Sequence, residues 1–158
     1  MGSVSRVHNL NQRLAGLASR LAGRPTAGLQ GCAHLLYKVL AAPRRIFARL
    51  CPELCPSCEE ACCQRVSHRG VMDTADLVFF ALQGITALPA AARQDGLCPW
   101  LTRQGCALSW NARPFACLHY LCKPLQNAMS PSELAEVRTL LTQAGGLRSR
   151  LLKLFLDS

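Results

Sequence analysis

No acidic residue precedes Glu53, no apolar run outlasts Leu77–Leu82, and β-branched residues are scarce along these 158 residues. A run that short cannot cross a bilayer as a helix, which takes about 20 consecutive apolar residues. The first ten residues, ending at Leu10, lack the continuous apolar core of a secretory signal. A soluble, cytoplasmic and reducing setting is therefore expected. The lack of clean alternation argues against a sheet protein. No Gly-x-Ser-x-Gly elbow and no phosphate-loop glycine pattern occurs. The carboxylates are few and scattered, so no paired acid–base constellation stands out. These gaps turn the reading away from an enzyme and toward a binding protein.

What the sequence does hold is apolar bulk, basic charge and sulfur. Half of the residues are hydrophobic, which suits a single domain with its own core. Charged residues make up 17%, against a usual share of about 25%. Eight basic residues precede Glu53, whereas the remainder holds ten basic and nine acidic. Nearly all of the net charge of +9 thus sits in the first third. Such a segment suits a nucleic acid, an anionic lipid or an acidic protein partner, and it also has the Arg-rich composition of a transit peptide. The plainer alternative is a solvated basic helix face.

Val4, Val7, Leu10, Leu14, Leu17 and Leu21 form an apolar stripe that predicts a helix over 4–21, broken by Gly23, Pro25 and Gly28. A second helix is expected over about 30–41, with Leu35, Leu36, Val39 and Leu40 inward. Pro43 should interrupt it, and Ile46, Phe47 and Leu50 indicate a further turn. Asp73 reads as an N-cap with Asp76 at the third helical position, opening a helix that ends near Gly84. Ser130-Pro131-Ser132-Glu133 combines a capping serine, a first-turn proline and a capping-box glutamate. Gly145-Gly146 should end or bend the helix it starts, leaving a turn or two from Leu147 to Phe155.

Ten cysteines in a reducing setting point to metal rather than disulfides. The first cluster runs Cys51, Cys55, Cys58, Cys62, Cys63. Cys55-x2-Cys58 is a chelating pair, because a short turn brings two sulfurs to one ion. Pro56 suits the first position of a helix with Cys55 as its N-cap, where exposed N–H groups favour thiolate. Cys62 shares a face with Cys58, whereas Cys63 points elsewhere: to another ligand position, a second ion or the core. The second cluster runs Cys98, Cys106, Cys117, Cys122. Pro114 reads as a helix start. Cys117 and Cys122 are five apart, so the helix must end before Cys122 if both bind metal. Four sulfurs close one zinc or iron–sulfur site, and Arg113 is the best candidate to compensate the negative charge of such a set. His119 and His68 are lesser candidates. Cys32 belongs to an apolar helix pattern and should be core.

The pattern Cys55-x2-Cys58-x3-Cys62-Cys63, then Cys98-x-Trp-Leu, Gly105-Cys106-x-Leu and Arg113-Pro114-x2-Cys117-x2-Tyr120-x-Cys122, resembles the cysteine-cluster family of zinc- or iron-chelating domains. The likeness covers roughly residues 55–122. It implies that Cys55, Cys58, Cys62, Cys63, Cys98, Cys106, Cys117 and Cys122 are the metal ligands, with Arg113-Pro114 as the accompanying pair. It implies metal binding but no particular reaction. Two departures bear on loop geometry: the Cys106-to-Arg113 stretch is one residue longer than the family's usual spelling, and Trp110 stands near a usual tyrosine. Cys51 lies outside the motif and is an optional ligand. Cys51-x3-Cys55-x2-Cys58 also spells the three-cysteine signature of radical S-adenosylmethionine enzymes. A β/α barrel, however, takes roughly 200 residues or more and many strands.

The expected architecture is mainly α, a small single domain with helices around irregular, metal-organised cysteine loops. It divides into a basic helical segment (1–50), a cysteine core (51–125) and a C-terminal helical segment (126–158). The leading function is chelation of zinc or iron through clustered thiolates. The alternatives are an iron–sulfur redox protein or enzyme, and a zinc-stabilised adaptor that binds nucleic acid or an acidic protein through its basic N-terminus. Thiolates suit zinc and iron–sulfur clusters alike.

Overall fold

Helix α1, Ser3–Ala22, buries Val7, Leu14, Leu17 and Leu21, which recur at the helical spacing expected of them. The computed structural model describes residues 3–58, 72–91 and 98–158. Among these residues α1 is followed by α2 (Ala27–Leu54), α3 (Thr74–Leu82), a hairpin of β1 (Leu101–Thr102) and β2 (Gly105–Cys106), α4 (Phe115–His119), α5 (Lys123–Ala128) and α6 (Pro131–Leu156). The fold is mainly α. The largest interface joins α2 to α6, while α1 packs on α3 and α3 also meets α6. No helix of the described residues is long and apolar enough to cross a membrane.

Helix α2 corrects the expectation of a break at Pro43. It runs unbroken through Pro43 and Pro52 as far as Leu54. An interior proline costs about 3 kcal/mol through its missing N–H and ring clash. Here the loss is outweighed by packing. Pro43 is fully buried, flanked on the same face by Leu36, Leu40 and Phe47. The inward face therefore follows Leu29, Cys32, Ala33, Leu36, Leu40, Arg44 and Phe47, and Leu35 is left half-exposed on the outside.

Helix α6 does not end at Gly145-Gly146, one of the two outcomes expected there, but continues through the pair to Leu156. Its buried stripe of Val137, Leu141, Ala144, Leu151 and Phe155 spans the glycine pair. Each interior glycine costs about 1 kcal/mol relative to alanine, less than the stripe contributes by burial.

Both expected caps form. The Asp73 carboxylate accepts from the Asp76 N–H at 3.1 Å, and Asp76 accepts from the Asp73 N–H at 3.2 Å. The Ser130 hydroxyl accepts from the Glu133 N–H at 3.2 Å, and Glu133 accepts from the Ser130 N–H at 2.9 Å. Arg49 then ties α2 to α6 through Glu133 at 2.5 Å. The segment after α3 is pinned to α1 by a reciprocal pair. Asn11 Nδ2 donates to the Leu88 carbonyl at 3.1 Å, and the Leu88 N–H returns to Asn11 Oδ1 at 2.8 Å.

Candidate metal centre

The C-terminal end of α2 supplies the first sulfurs. Cys55 caps that end, with its N–H bonded to the Cys51 carbonyl at 2.8 Å, so the two residues sit one turn apart. The helix N-terminus expected at Cys55 is therefore corrected to a helix C-terminus. Cys55–Cys58 is a turn, in which the Cys58 N–H donates to the Cys55 carbonyl at 3.3 Å. The sign of the local field is thereby reversed. The last carbonyls of α2 present partial negative charge, which opposes thiolates standing alone and favours a cation among them.

The second cluster is organised by the hairpin, which no sequence signal announced. The Leu101 N–H donates to the Cys98 carbonyl at 3.1 Å. Leu101 pairs with Cys106 and Thr102 with Gly105. The Thr102 hydroxyl donates to the Gly105 carbonyl at 2.9 Å and accepts from the Gln104 N–H at 3.1 Å. Gly105 adopts a φ of 104°, open to glycine and strained for other residues. Trp100, fully buried, anchors the turn by donating from Nε1 to the Pro89 carbonyl at 3.0 Å. Cys98 and Cys106 are thus held at the base of one small ribbon.

Pro114, the expected helix start, is the N-cap of α4, which begins one position later at Phe115, and the Cys117 N–H bonds the Pro114 carbonyl at 3.0 Å. The helix ends at His119, and Cys122 is the N-cap of α5, with Pro124 in the first turn. The break between Cys117 and Cys122 is the one their spacing required.

These elements enclose one cavity of about 220 Å³. Cys55, Cys58, Cys98, Cys106, Cys117 and Cys122, six of the eight expected ligands, all line it. Cys51 lines it as well, so the optional ligand faces the same space. Cys62 and Cys63, like His68, lie outside the described residues. Phe47, Trp100, Leu108, Trp110 and Leu125 make its apolar walls. Among the described residues no histidine or carboxylate lines it, and soft sulfur donors of this kind suit zinc, copper(I) or iron–sulfur clusters.

Cys98 is buried, while the other six are half-buried. Burial pushes the Cys106 thiol up from its ordinary value; the Arg113 guanidinium and a Leu108 hydrogen bond pull it back, and neighbouring Cys98 and Cys55 raise it further. That mutual influence places Cys55, Cys98 and Cys106 in one electrostatic neighbourhood. Arg113 also lines the cavity, as do Trp110 and Tyr120. His119 is exposed, with its ring against Phe115 at 5.3 Å, and stands off the cavity wall. Cys32 is a core residue near the start of α2, at the end away from the cavity, and its thiol donates to the Leu147 carbonyl at 3.4 Å.

The sulfurs ring the cavity without closing on a point: among the described residues no three Cys, His, Asp or Glu side chains stand together as a ready metal site. No protein-family model, curated protein or solved structure matches this chain.

Proposed function

We propose that this protein binds zinc or iron through the thiolates of Cys55, Cys58, Cys98, Cys106, Cys117 and Cys122. The observation that supports this is the shared cavity: seven cysteines, Cys51 included, reach it from α2, the turn that follows, the hairpin, α4 and the N-cap of α5. Chance burial of thiols would scatter them through the core, as Cys32 is. The walls are apolar, so thiolates there need a cation, and Arg113 supplies only one positive charge. The open arrangement of the sulfurs fits a site whose ligands close on the ion as it binds, so that binding energy becomes folding energy.

Thiolate ligation of this kind calls for a reducing compartment such as the cytoplasm. The cysteine pattern carries the likeness to the zinc- or iron-chelating family into this reading. Elemental analysis and visible absorption of the anaerobically purified protein test it. Stoichiometric zinc in a colourless protein supports a structural, storage or delivery site. A brown protein with iron and sulfide supports the iron–sulfur alternative. Cys58→Ser and Cys117→Ser should each lower metal content, and full metal in both variants would refute the ligand assignment.

A second role rests on α1. Arg6, Arg13 and Arg20 recur every seven residues, a spacing that aligns them along one face, and Arg13 and Arg20 are exposed. This stripe suits the phosphates of a nucleic acid or an acidic protein, binding that should fall steeply with added salt.

A further inference from the structure

A second, much smaller hollow lies beside the cysteine cavity, with Arg113 lining both. Its polar lining is Arg44, Arg113, Arg148 and Asp76, set among leucine and phenylalanine side chains from α2, α3 and α4. The volume is about 10 Å³, room for one body of roughly the size of a water molecule.

Arg44 is the unusual wall. Only 6% of it is exposed. Its guanidinium lies 5.3 Å from the Tyr37 ring centre and 5.8 Å from that of Phe79. Those ring faces attract the charge but do not satisfy its hydrogen-bond donors. Its Nε and Nη2 are buried and have no acceptor. Arg148 Nε is also buried, and its nearest carboxylate oxygen, Asp76 Oδ1, stands at 3.5 Å, an ion pair at the outer limit of a hydrogen bond.

The one carboxylate on the wall is already engaged. Asp76 accepts from the Phe115 N–H at 3.0 Å and from the Asp73 N–H at 3.2 Å. Asp73, outside the hollow, is taken up by Arg148. Both carboxylates are thus engaged with Arg148, and the Nε and Nη2 of buried Arg44 are left without one. Burial lowers the Arg44 pKa, yet an arginine does not shed its proton as a buried lysine can. Its charge needs compensation in place.

We propose that this hollow binds one monatomic anion, with chloride as its representative, held by the Nε–H and Nη2–H of Arg44 and by Arg148. Size excludes sulfate, phosphate and carboxylates. A water molecule would serve the donors but would leave the charge uncompensated. The site stands on its own residues and does not depend on what the cysteines hold.

The test uses the full chain. Thermal unfolding is followed as chloride or bromide replaces gluconate at constant ionic strength, and a crystal grown in bromide is examined by anomalous scattering. The expected result is an unfolding midpoint that rises with halide and keeps rising with its logarithm above the dissociation constant. Arg44→Gln should lose this halide-specific shift. The bromide signal should fall within hydrogen-bond reach of Arg44 Nε and Nη2. Equal responses to chloride and gluconate, or a water there with no bromide signal, would overturn the proposal. If Arg44→Gln does not fold, the bromide map of the unaltered protein decides the matter.

Discussion

Arg113 lies over the indole of Trp110, its guanidinium carbon 3.4 Å from the ring centre, while its Nε–H donates to the Leu108 carbonyl at 3.3 Å. Trp110 in turn meets Phe47 of α2 at 6.3 Å. The stack fixes a positive charge on the cavity wall, where it lowers the Cys106 thiol against the upward push of burial. Removing the charge in Arg113→Ala raises that thiol further, so thiolate forms only at higher pH. Half-maximal zinc loading should shift to higher pH, with a smaller drop in occupancy at alkaline pH than Cys58→Ser causes. Arg113→Lys keeps the charge but loses the planar stack, and should recover part of the shift. An unmoved loading profile in Arg113→Ala would remove Arg113 from the site.

Cys51 and Cys32 lie on the same helix and should behave in opposite ways. Cys51 faces the cavity one turn before Cys55, whereas Cys32 is buried against Leu147. Cys51→Ser should reduce metal content or speed its loss to a chelator. Cys32→Ala should leave metal content intact and cost about 1 kcal/mol or less in stability, for a lost thiol and a small void. Metal analysis beside urea unfolding separates the two. Identical metal content in both variants would show that lining the cavity does not make Cys51 a ligand.

What was legible in the sequence was local. Asp73 with Asp76, and Ser130 with Glu133, announce their caps because each bond spans three residues and depends on nothing distant. Pro43, and Gly145-Gly146 read as a helix end, mislead for the opposite reason: their local penalties are real, but a continuous buried face outweighs them. The family resemblance grouped Cys55, Cys58, Cys98, Cys106, Cys117 and Cys122 as ligands, and these six line one cavity. The resemblance could not show that α2 runs on to Cys55, since that depends on Pro43 being packed in the core. The second duty of Asp76, accepting from Phe115 across the fold, was equally hidden, because a cap looks the same whatever else it touches.

Asp73 and Asp76 should respond to acid in opposite senses. Burial works to raise Asp73, but hydrogen bonds from Arg148 and the Asp76 amide hold it below the usual carboxylate range. Its stabilising contribution is present above its unfolded pKa and disappears as pH falls through the depressed value. Burial pushes Asp76 up, with the Phe115 amide and Arg148 pulling back. A raised carboxylate binds its proton more tightly when folded, so its charge weakens the fold as pH rises through that window. Asp73→Asn should therefore lose stability at neutral pH, and the gap to the parent should narrow in acid. Asp76→Ala strands the Phe115 N–H and Arg148, and should cost about 2–4 kcal/mol. Urea unfolding at about pH 3 and pH 7 checks both. A gap for Asp73→Asn that does not change between them would contradict the assignment.

Glycines at two kinds of position should give opposite results. Gly146 is exposed inside α6, and an ideal Cβ there meets nothing within 4 Å. At Gly145 the nearest atom would be Phe115 Cζ at 3.8 Å, an ordinary contact. Neither has positive φ. Alanine at Gly146 removes freedom from the unfolded chain without strain, and should stabilise by about 0.5–1 kcal/mol. Alanine at Gly145 should gain at least as much by touching Phe115. Gly105 also has open space around it, but its φ of 104° lies where a side chain is strained. Gly105→Ala should destabilise by about 1 kcal/mol or more. It should also lower metal content, because it disturbs the hairpin that carries Cys106. Thermal unfolding ranks the three variants, and metal analysis of Gly105→Ala tests whether that turn sets the position of a ligand. If Gly105→Ala is destabilised yet keeps all its metal, the hairpin stabilises the fold without governing the sulfur at its end.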